Sequence, residues 1–359
     1  MLRVLQCVNN MHRAGLETML MNYYRNIDRS QIQFDFLTHR PYRSDYDDEI
    51  EMLGGKIYYA PRLVPQNYLS YFSYMKSFFA KHPEYIIVHS HIDAMSYFPL
   101  LAAKKSNIPV RIAHSHNTAI DLDYKYPLKQ FFRYNISKVA TDYLACGQEA
   151  GRFLFKQDGV NVIPNAVDAN RFLYNKETRV KLRAELGLDN CFVIGHVGRF
   201  SYQKNHSFLI DVFYEILKSD PNSMLLLIGT GEAETKIKIK VRELGISDNV
   251  MFLGVRSDVN NLYQAMDAFV LPSRFEGVPV VGIEAQFSDL PCFFSDDVPK
   301  EVAFTSKCHF LNRRSSAKVW AEEIIITNDM KRQKNEYLNS EYRIENATRM
   351  LEDYYFSFI

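Results

Sequence analysis

Short apolar runs alternate with stretches of helical periodicity along almost the whole chain. This alternation is typical of parallel α/β folds, in which each strand is followed by a helix that covers the sheet. In the first half of the sequence, the apolar runs predict seven strands at residues 2–8, 33–37, 56–59, 85–89, 110–114, 142–145 and 160–163. The helical patterns between them lie at residues 15–25, 68–81, 94–105, 125–138 and 148–156.

A polar break at residues 163–172, IPNAVDANRF, interrupts this pattern, because Pro164 and Asn165 end the last strand of the first series. A second alternating series follows the break. Its strands are predicted at residues 192–197, 224–228, 250–252, 268–271 and 291–294. Its helices are predicted at residues 176–186, 205–218, 233–244 and 259–266, with a further helix beginning near Pro279.

Two such series predict two doubly wound, Rossmann-like α/β domains, at residues 1–166 and 167–335. Residues 336–359 are polar at first and end in the aromatic cluster EDYYFSFI. We predict that they form a helical tail, which crosses back to bury these aromatic side chains on the first domain.

Length and composition agree with two soluble domains. The chain has 359 residues, which is longer than one hydrophobic core usually supports. Hydrophobic residues make up 47% of it, which is enough to form two cores. Its net charge is +1 and its basic residues are spread along the chain, which gives no electrostatic case for a nucleic-acid partner. The five cysteines contain no CxxC pair, so we expect reduced thiols and a cytoplasmic location. The N-terminus lacks the apolar core of a signal peptide, and no apolar run is long enough to span a bilayer. We therefore expect a soluble protein or one held at a membrane surface.

The stretch FEGVPVVGIEAQ, residues 275–286, carries two carboxylates, Glu276 and Glu284. Proline suits the first position of a helix, so Pro279 predicts a helix that holds Glu284 and leaves Glu276 in the preceding loop. The amides of Val280 and Val281 would then point out of the helix N-terminus, where they attract a phosphate. This arrangement fits a diphosphate that carries a hydroxyl-rich group at each end.

Other loops after predicted strands also suit anions. Gly15 opens a helix after the first strand, although plain turn chemistry explains it equally well. Arg199 and Lys204 follow the first strand of the second series, where a guanidinium fork and a mobile ammonium can neutralise a diphosphate. The segment GTGEAE at 229–234 resembles the start of a dinucleotide fingerprint, but Glu234 replaces the third glycine, which disfavours a dehydrogenase.

Histidines follow two strands, in HSH at 89–91 and HSHN at 114–117. Three interpretations compete. Imidazoles are common zinc ligands, but no cysteine or carboxylate lies at ligand spacing. The histidines could instead be structural groups at the end of a sheet. They could also form a polar cleft wall that hydrogen-bonds a substrate, with one imidazole near the reacting centre.

The predicted helix at 125–139 is basic and aromatic. It carries Phe131, Phe132 and Tyr134 among four basic residues, Lys125, Lys129, Arg133 and Lys138. An ordinary surface helix with its aromatic side chains in the core explains this pattern. The alternative is docking on an anionic membrane face.

Taken together, these motifs resemble the GT-B fold retaining glycosyltransferases of family 4, and within that family the capsular and exopolysaccharide biosynthesis branch. The likeness covers nearly the whole length. It is carried by AGLE at 14–17, HSHN at 114–117, IPNAVD at 163–168, VGRFSYQKN at 197–205, LLLIGTGE at 225–232, VMFLGVRSDV at 250–259 and FVLPSRFEGVPVVGIEA at 269–285.

The resemblance implies an acceptor-side first domain and a nucleotide-sugar-binding second domain, facing each other across a cleft. It implies that Glu284 holds the ribose of the donor and that Arg199 and Lys204 neutralise its diphosphate. Glu276 would contact the donor sugar, and His116 would lie near the reacting carbon, with His114 as the competing alignment. The remaining implied donor-binding residues are Gly15, Gly277, Val278, Val280 and Val281.

The resemblance further implies transfer of a sugar, from a UDP-linked donor, to a lipid-linked saccharide in capsule or exopolysaccharide synthesis. No metal or other cofactor is expected, because fixed cations and amides can neutralise the leaving group. A nucleotide-sugar epimerase or hydrolase on the same fold, and a non-catalytic nucleotide-sugar-binding subunit, are the alternative functions. The expected location is the cytoplasm, with the inner face of the cell membrane as a possible docking surface.

Two segments depart from the family pattern. Asp289 stands where relatives commonly have a glycine, and SDDVPKE at 295–301 replaces a glycine-rich turn. Both changes bear on the shape of the pocket near the donor sugar.

Overall fold

The computed structural model describes residues 1–119, 126–326 and 331–359. The chain divides into two compact units. The first comprises residues 1–166 together with 341–359, and the second comprises residues 167–340. The second unit therefore extends to Ser340 rather than to residue 335, and the C-terminal residues belong to the first unit.

The first unit contains a seven-stranded parallel sheet. Its strands are β1 (Leu2–Val8), β2 (Ile32–Thr38), β3 (Ile57–Tyr59), β4 (Ile87–Ser90), β5 (Val110–Ser115), β6 (Asp142–Ala145) and β7 (Asn161–Val162). Their order in the sheet is β3-β2-β1-β4-β5-β6-β7. The strands β2 and β3 are thus added on one side of β1 and the later strands on its other side, so the strand order reverses between β1 and β4. A reversal of this kind is where doubly wound sheets usually bind ligands.

Within the described residues, six α-helices lie between these strands. They are α1 (Gly15–Asn26), α2 (Asp47–Met52), α3 (Tyr68–Lys81), α4 (Tyr97–Lys105), α5 (Tyr126–Asn135) and α6 (Gln148–Phe155). Strand β2 is buried at every position, which is expected where helices cover both faces of a parallel sheet. This two-sided burial explains why the strands read as continuous apolar runs. The predicted helix at 125–138 is α5 followed by a short 3₁₀ turn, Ile136–Lys138, and Lys125 lies outside the described residues.

The second unit contains a six-stranded parallel sheet in the order β10-β9-β8-β11-β12-β13. Its strands are β8 (Val193–Val197), β9 (Met224–Ile228), β10 (Val250–Gly254), β11 (Ala268–Leu271), β12 (Cys292–Ser295) and β13 (Cys308–Leu311). Its helices are α7 (Lys176–Leu186), α8 (His206–Ser219), α9 (Glu234–Glu243), α10 (Val259–Ala265), α11 (Val280–Phe287) and α12 (Ala317–Ile325). The direction of progress reverses between β8 and β11.

The region after β12 differs from the sequence prediction. Strand β13 and helix α12 were not predicted, and no helix occupies residues 331–343. The predicted tail helix at 336–359 is α13 (Ile344–Phe356), which begins eight residues later. The preceding segment is tied to loops instead. Arg332 is the anchor, because its guanidinium donates to the carbonyl oxygens of Gln264, Met266 and Ser288.

Helix α13 packs against α1 in the first unit. A stripe of buried side chains recurs every three or four residues along it, formed by Ile344, Ala347, Thr348, Leu351 and Tyr355. The Glu352 carboxylate also accepts a hydrogen bond of 2.7 Å from the backbone N–H of Asp28. None of the helices in the described ranges is long and apolar enough to cross a membrane.

Replacing Leu351, which is 4% exposed, by alanine should destabilise the first unit by about 2–5 kcal/mol, because the cavity loses both transfer energy and packing contacts. Hydrogen exchange of the β1 and β2 amides would measure this loss. The neighbouring Met350 is 40% exposed, so Met350→Ala is the matched control and should change stability by less than about 0.5 kcal/mol. Equal losses in the two variants would contradict this account of α13.

Candidate functional site

In the second unit, the loops that follow β8 and β11 are hydrogen-bonded to each other. The backbone N–H of Arg274 donates to the carbonyl oxygen of Gln203 at 2.8 Å. The Gln203 side chain donates in return to the carbonyl oxygen of Phe275 at 2.9 Å. These two strands flank the reversal point of the sheet, so the predicted residues on both loops are brought together at its carboxyl edge.

Lys204 and Glu276 form the central charged pair of these loops. The ammonium of Lys204 lies 2.6 Å from Oε1 of Glu276, and the two side chains are only 15% and 7% exposed. Gln203 donates to the other carboxylate oxygen at 3.3 Å. A Cβ at Gly198 would approach Nε2 of His196 to 3.0 Å, which is tighter than an ordinary contact, and would only touch the Lys204 side chain, at 3.4 Å. The pair is therefore held in place by the folding of the loops.

Arg199 lies on the same loop but points elsewhere. Its guanidinium lies 3.1 Å from Glu232, and its side chain is 73% exposed. The two predicted diphosphate-neutralising groups thus have different partners in the structure. A largely exposed ion pair of this kind contributes little to stability, so Arg199 can exchange Glu232 for another anion at low cost.

The glycines of GTGE at 229–232 allow two loops to pack closely. Gly229 has a φ of +128°, and a Cβ on it would lie 2.2 Å from the carbonyl oxygen of Gly198. A Cβ on Gly231 would lie 2.4 Å from the carbonyl oxygen of Phe200. Backbone bonds from Gly198 to Ile228 and from Phe200 to Thr230 extend the β8–β9 ladder through this contact. These glycines shape the loop that carries Arg199.

Helix α11 begins at Val280, and Pro279 is its N-cap residue rather than its first helical residue. Pro279 has a non-helical, extended ψ of 118°, and its carbonyl oxygen accepts a hydrogen bond from the backbone N–H of Gly282. Both features are those of an N-cap residue. Val280 and Val281 therefore form the start of the helix, with no side chain capping its N-terminus. Gly277 and Val278 lie buried in the loop just before it.

Glu284 is buried on α11 and is held by a tyrosine from α10. The Tyr263 hydroxyl lies 2.9 Å from Oε2 of Glu284 and 3.1 Å from the carbonyl oxygen of Val281. Burial raises the pKa of the Glu284 carboxyl to about 7, while the Tyr263 hydrogen bond and the charge of Arg171 oppose the shift. Glu284 is thus poised to gain from any hydroxyl group that donates to it.

In the first unit, Gly15 is the first residue of α1. A Cβ at this position would meet no atom of the described residues within 4 Å, so packing inside the unit does not require glycine. Two residues further on, Glu17 is 7% exposed, and burial raises the pKa of its carboxyl to about 7. Both residues follow β1 at the reversal point of the first sheet.

The four histidines of HSH and HSHN form two hydrogen-bonded pairs, one with near-parallel rings (His89 and His114, 4°) and one with tilted rings (His91 and His116, 34°). Nε2 of His89 lies 3.1 Å from Nδ1 of His114, and Nδ1 of His91 lies 3.0 Å from Nε2 of His116. His89, His91 and His114 are at most 2% exposed, whereas His116 is partly exposed. Burial lowers the pKa of all four imidazoles, for His116 to about 3, so they are neutral at pH 7. Of the two competing histidines, His116 is the one that can meet a ligand from outside.

Ligand nitrogens of His89, His91 and His114 lie within 4.8 Å of one another, so this set could hold a metal ion. The ring orientations favour hydrogen bonding instead. The planes of His89 and His114 differ by only 4°, so their facing nitrogens are directed at each other rather than at a common point between the rings. Tetrahedral zinc would require the lone pairs to converge, and therefore the rings to turn.

Comparison with known proteins identifies the family. Residues 178–341 match the model of glycosyl transferases group 1, and residues 13–171 match that of glycosyltransferase family 4. EpsF of Bacillus subtilis (strain 168), named as a glycosyltransferase, is 36% identical over 94% of this chain and 90% of its own length. This chain belongs to glycosyltransferase family 4. The resemblance inferred from the motifs is therefore confirmed.

More distant relatives and solved structures agree with this assignment. The capsular polysaccharide biosynthesis glycosyltransferase CapH of Staphylococcus aureus is 27% identical over 79% of either chain. The crystal structure of HepE from Anabaena in complex with UDP superposes with a TM-score of 0.80, covering 99% of this chain and all of HepE at 18% identity. The predicted GT-B fold with two Rossmann-like domains is confirmed, and the protein is a glycosyltransferase enzyme.

Asp289, which departs from the family pattern, has a structural role in this glycosyltransferase. Its φ is +57°, a left-handed conformation that glycine adopts at no steric cost. The aspartate instead uses its carboxylate, which accepts bonds from Lys307 at 2.8 Å and from the backbone N–H of Gln333 at 2.6 Å. The departure therefore anchors the segment that leads towards α13.

Sequence reasoning missed Gln203 and Tyr263, the two side chains that hold the predicted carboxylates. Tyr263 lies 21 residues from Glu284, and Gln203 lies 73 residues from Glu276. No local spacing connects them, because each contact depends on which strands are neighbours in the sheet. Of the predicted site residues, Gly15, His114 and His116 belong to the first unit and the others to the second.

The raised pKa of Glu284 predicts a pH-dependent stability. Its ionisation costs the folded state more than the unfolded state, so this penalty is absent below about pH 4.5 and is complete above about pH 7. Glu284→Gln should therefore gain stability relative to wild type as pH rises through this window, by up to about 3 kcal/mol. Denaturation followed by the fluorescence of the only tryptophan, Trp320 in the second unit, measures the difference.

The exposed Glu185 on α7 provides the control. The stability difference between Glu185→Gln and wild type should stay constant across the same pH range. If the Glu284→Gln difference stays constant as well, Glu284 is not the source of a penalty from buried charge.

Proposed function

We propose that this glycosyltransferase transfers a hexose-type sugar, with retention of configuration, from a UDP-linked donor to a lipid-linked saccharide during capsule or exopolysaccharide synthesis. The observation that carries the proposal is the buried Lys204–Glu276 pair beside the uncapped start of α11. A cation, a carboxylate and a helix N-terminus together suit a sugar diphosphate.

The names of relatives support the proposed donor and acceptor. HepE of Anabaena has been crystallised with UDP and with UDP-glucose. A relative from Escherichia coli is named as a UDP-Gal:alpha-D-GlcNAc-diphosphoundecaprenol alpha-1,3-galactosyltransferase. It is 29% identical over 60% of this chain and 59% of its own length. By analogy with these two proteins, we propose a uridine diphosphate donor and an acceptor on a lipid diphosphate for this chain.

In the proposed donor complex, Glu284 accepts hydrogen bonds from the ribose hydroxyls. The amides of Val280 and Val281, at the start of α11, bind the diphosphate. Gly277 and Val278 lie in the loop just before Pro279, next to Glu276 in the sequence. The site would then contact the ribose at one end of the diphosphate and the sugar at the other end.

Lys204 and Arg199 would neutralise the diphosphate as it leaves. In the structure the Lys204 ammonium already faces a carboxylate, so the diphosphate becomes its second anion. Negative charge on the leaving group grows as the glycosidic bond breaks, and a fixed cation lowers the barrier most when it meets that growing charge. The chain's own cations supply this effect, so the proposed reaction requires no metal.

Glu276 would position the donor sugar rather than attack it, since its carboxylate is already engaged by Lys204 and Gln203. We propose attack by the acceptor on the face from which the diphosphate leaves, with a phosphate oxygen taking the acceptor proton. His116 would contact the sugar near the reacting carbon. A covalent route would instead need a carboxylate on the opposite face.

Incubation of the full chain with a panel of nucleotide sugars and a membrane extract tests the proposal. We expect release of UDP from one donor, dependent on the extract. Conversion of a donor without any acceptor would favour the epimerase or hydrolase. Binding of a nucleotide without turnover, unchanged in Glu276→Gln, would favour the non-catalytic subunit. Release from a donor other than a UDP sugar would overturn the choice of nucleotide.

Lys204→Ala should reduce kcat on the order of a hundredfold and weaken UDP binding much less, because the charge it meets grows in the transition state. Arg199→Ala should act in the same direction. Lys218, paired with Glu215 at the end of α8, supplies the control variant Lys218→Ala, which should keep wild-type kinetics. Calorimetric UDP affinities beside steady-state rates make the comparison. Parallel losses of affinity and kcat would show that the cations serve ground-state binding instead.

We further propose that the enzyme acts at the cytoplasmic face of the membrane and docks through α5. Phe131 and Tyr134 on this helix are 58% and 59% exposed, and the ammonium of Lys156 lies 3.8 Å from the Tyr134 ring centre. Exposed aromatic rings beside cations suit an anionic lipid surface.

Sedimentation with vesicles containing anionic lipid tests the docking. Phe131→Asp should reduce the bound fraction several-fold, because a buried aromatic ring contributes about 2 kcal/mol and the new charge is repelled. Met52→Asp, which alters a still more exposed apolar residue on α2 (79% against 58% for Phe131), is the control. Equal sedimentation of both variants and wild type would remove α5 from the docking surface.

A further inference from the structure

A buried glutamine on β1 connects the histidine pairs to the C-terminal helix. Gln6 and Tyr355 are both inaccessible to solvent, and the Gln6 amide nitrogen donates to the Tyr355 hydroxyl at 3.1 Å. The amide oxygen of Gln6 lies 2.8 Å from Nε2 of His91. The Tyr355 hydroxyl lies 2.7 Å from Nδ1 of His89. Each of the two groups on one amide therefore leads to a different histidine pair.

The first line of hydrogen bonds runs from Gln6 through His91 to His116. A carbonyl oxygen only accepts, so His91 must carry its proton on Nε2 and offer a lone pair at Nδ1. Nε2 of His116 faces that lone pair and must therefore carry the proton of its own ring. The other nitrogen of His116, Nδ1, is left as an acceptor on the one ring of the cluster that is partly exposed.

The second line runs from Gln6 through Tyr355 and His89 to His114. The Tyr355 oxygen accepts from the amide, so its own proton goes to Nδ1 of His89. His89 then donates from Nε2 to Nδ1 of His114. This line ends inside the protein, because Nε2 of His114 is buried without a partner among the described residues. Only the first line reaches a ring that a ligand can touch.

We propose that Gln6 is a positioning residue, which acts through His91 to fix the tautomer of His116 so that Nδ1 accepts a hydrogen bond from a sugar hydroxyl. Tyr355 holds the Gln6 amide in the required orientation. The inference rests on the proposed contact between His116 and the donor sugar. A rotation of the amide by half a turn would exchange its oxygen and nitrogen, and both histidine lines would have to shift their protons.

Gln6→Met keeps the length of the side chain and removes both polar groups. We expect kcat to fall roughly tenfold with little change in KM for the donor, since one oriented hydrogen bond is lost. Tyr355→Phe keeps the ring against Phe34 and removes only the hydroxyl, so a smaller loss of kcat is expected. Unchanged kcat in both variants, with wild-type folding, would overturn the inference.

Tyr71→Phe is the matched control. The Tyr71 hydroxyl also lies against a buried imidazole of the first unit, at 3.1 Å from Nε2 of His39, but this pair is separate from the Gln6 network. The control loses an equivalent buried hydrogen bond and should keep wild-type kcat. An equal fall of kcat in Tyr71→Phe and Gln6→Met would attribute the effect to general destabilisation and reject the positioning role.

Nitrogen NMR of histidine-labelled protein tests the tautomer independently of turnover. In wild type, the His116 ring should carry its proton on Nε2, and in Gln6→Met the two tautomers should mix. A wild-type His116 protonated on Nδ1 would overturn the inference even if the enzyme is active. If no donor is turned over, the proposed function fails, while the NMR result still decides whether Gln6 controls the ring.

Discussion

The carboxyl ends of parallel strands lie at one edge of the sheet, and every functional group described above depends on this constraint. In each unit the order of strands reverses once, between β1 and β4 and between β8 and β11. Helices leave the sheet on opposite sides at such a reversal and open a crevice. The histidines lie at the carboxyl ends of β4 and β5 or directly after them. Gly15, Lys204 and Glu276 lie in the loops or helix starts that follow β1, β8 and β11. The topology thus gathers residues that are far apart in sequence.

Burial then shifts the pKa values of several side chains that lie at these strand ends. Removing a group from water disfavours its ionised form, so lone buried groups become neutral and paired ones keep their charge. Burial accordingly lowers the pKa of the four histidines and raises the pKa of the Glu284 carboxyl to about 7. Lys204 and Glu276 are instead paired with each other, at 2.6 Å. The first unit consequently offers neutral imidazoles, whereas the second offers an ion pair.

Most of the fold was predictable, because a strand buried on both faces leaves a continuous apolar run. Strand β1, helix α3 and helix α7 have the predicted bounds. The prediction of secondary structure failed in segments whose conformation depends on long-range contacts rather than on the local pattern of apolar residues. The edge strand β13 is short and half-buried. The tail helix was predicted to begin at residue 336, but the segment before α13 is held to loops by Arg332 and Asp289.

The same limit applies to the candidate site. Motif spacing indicated which loops carry chemistry, but it could not show that Lys204 and Glu276 face each other across 72 residues. Gln6 did leave a signal in the sequence, since it is a lone amide inside the apolar strand LRVLQCV. A polar group at such a position needs a buried partner. The sequence could not show that this partner is Tyr355, because the two residues are separated by 349 positions.

That separation has a consequence for biosynthesis. During translation, the residues of β1, β4 and β5 leave the ribosome early, whereas Tyr355 leaves it only after the entire second unit has been synthesised. Until then, the amide of Gln6 and the imidazole of His89 lack the hydroxyl that joins them. The hydrogen-bond network of the first unit is therefore completed by a helix that follows the second unit in the sequence. Nascent chains of this enzyme should lack these hydrogen bonds for as long as the second unit takes to synthesise.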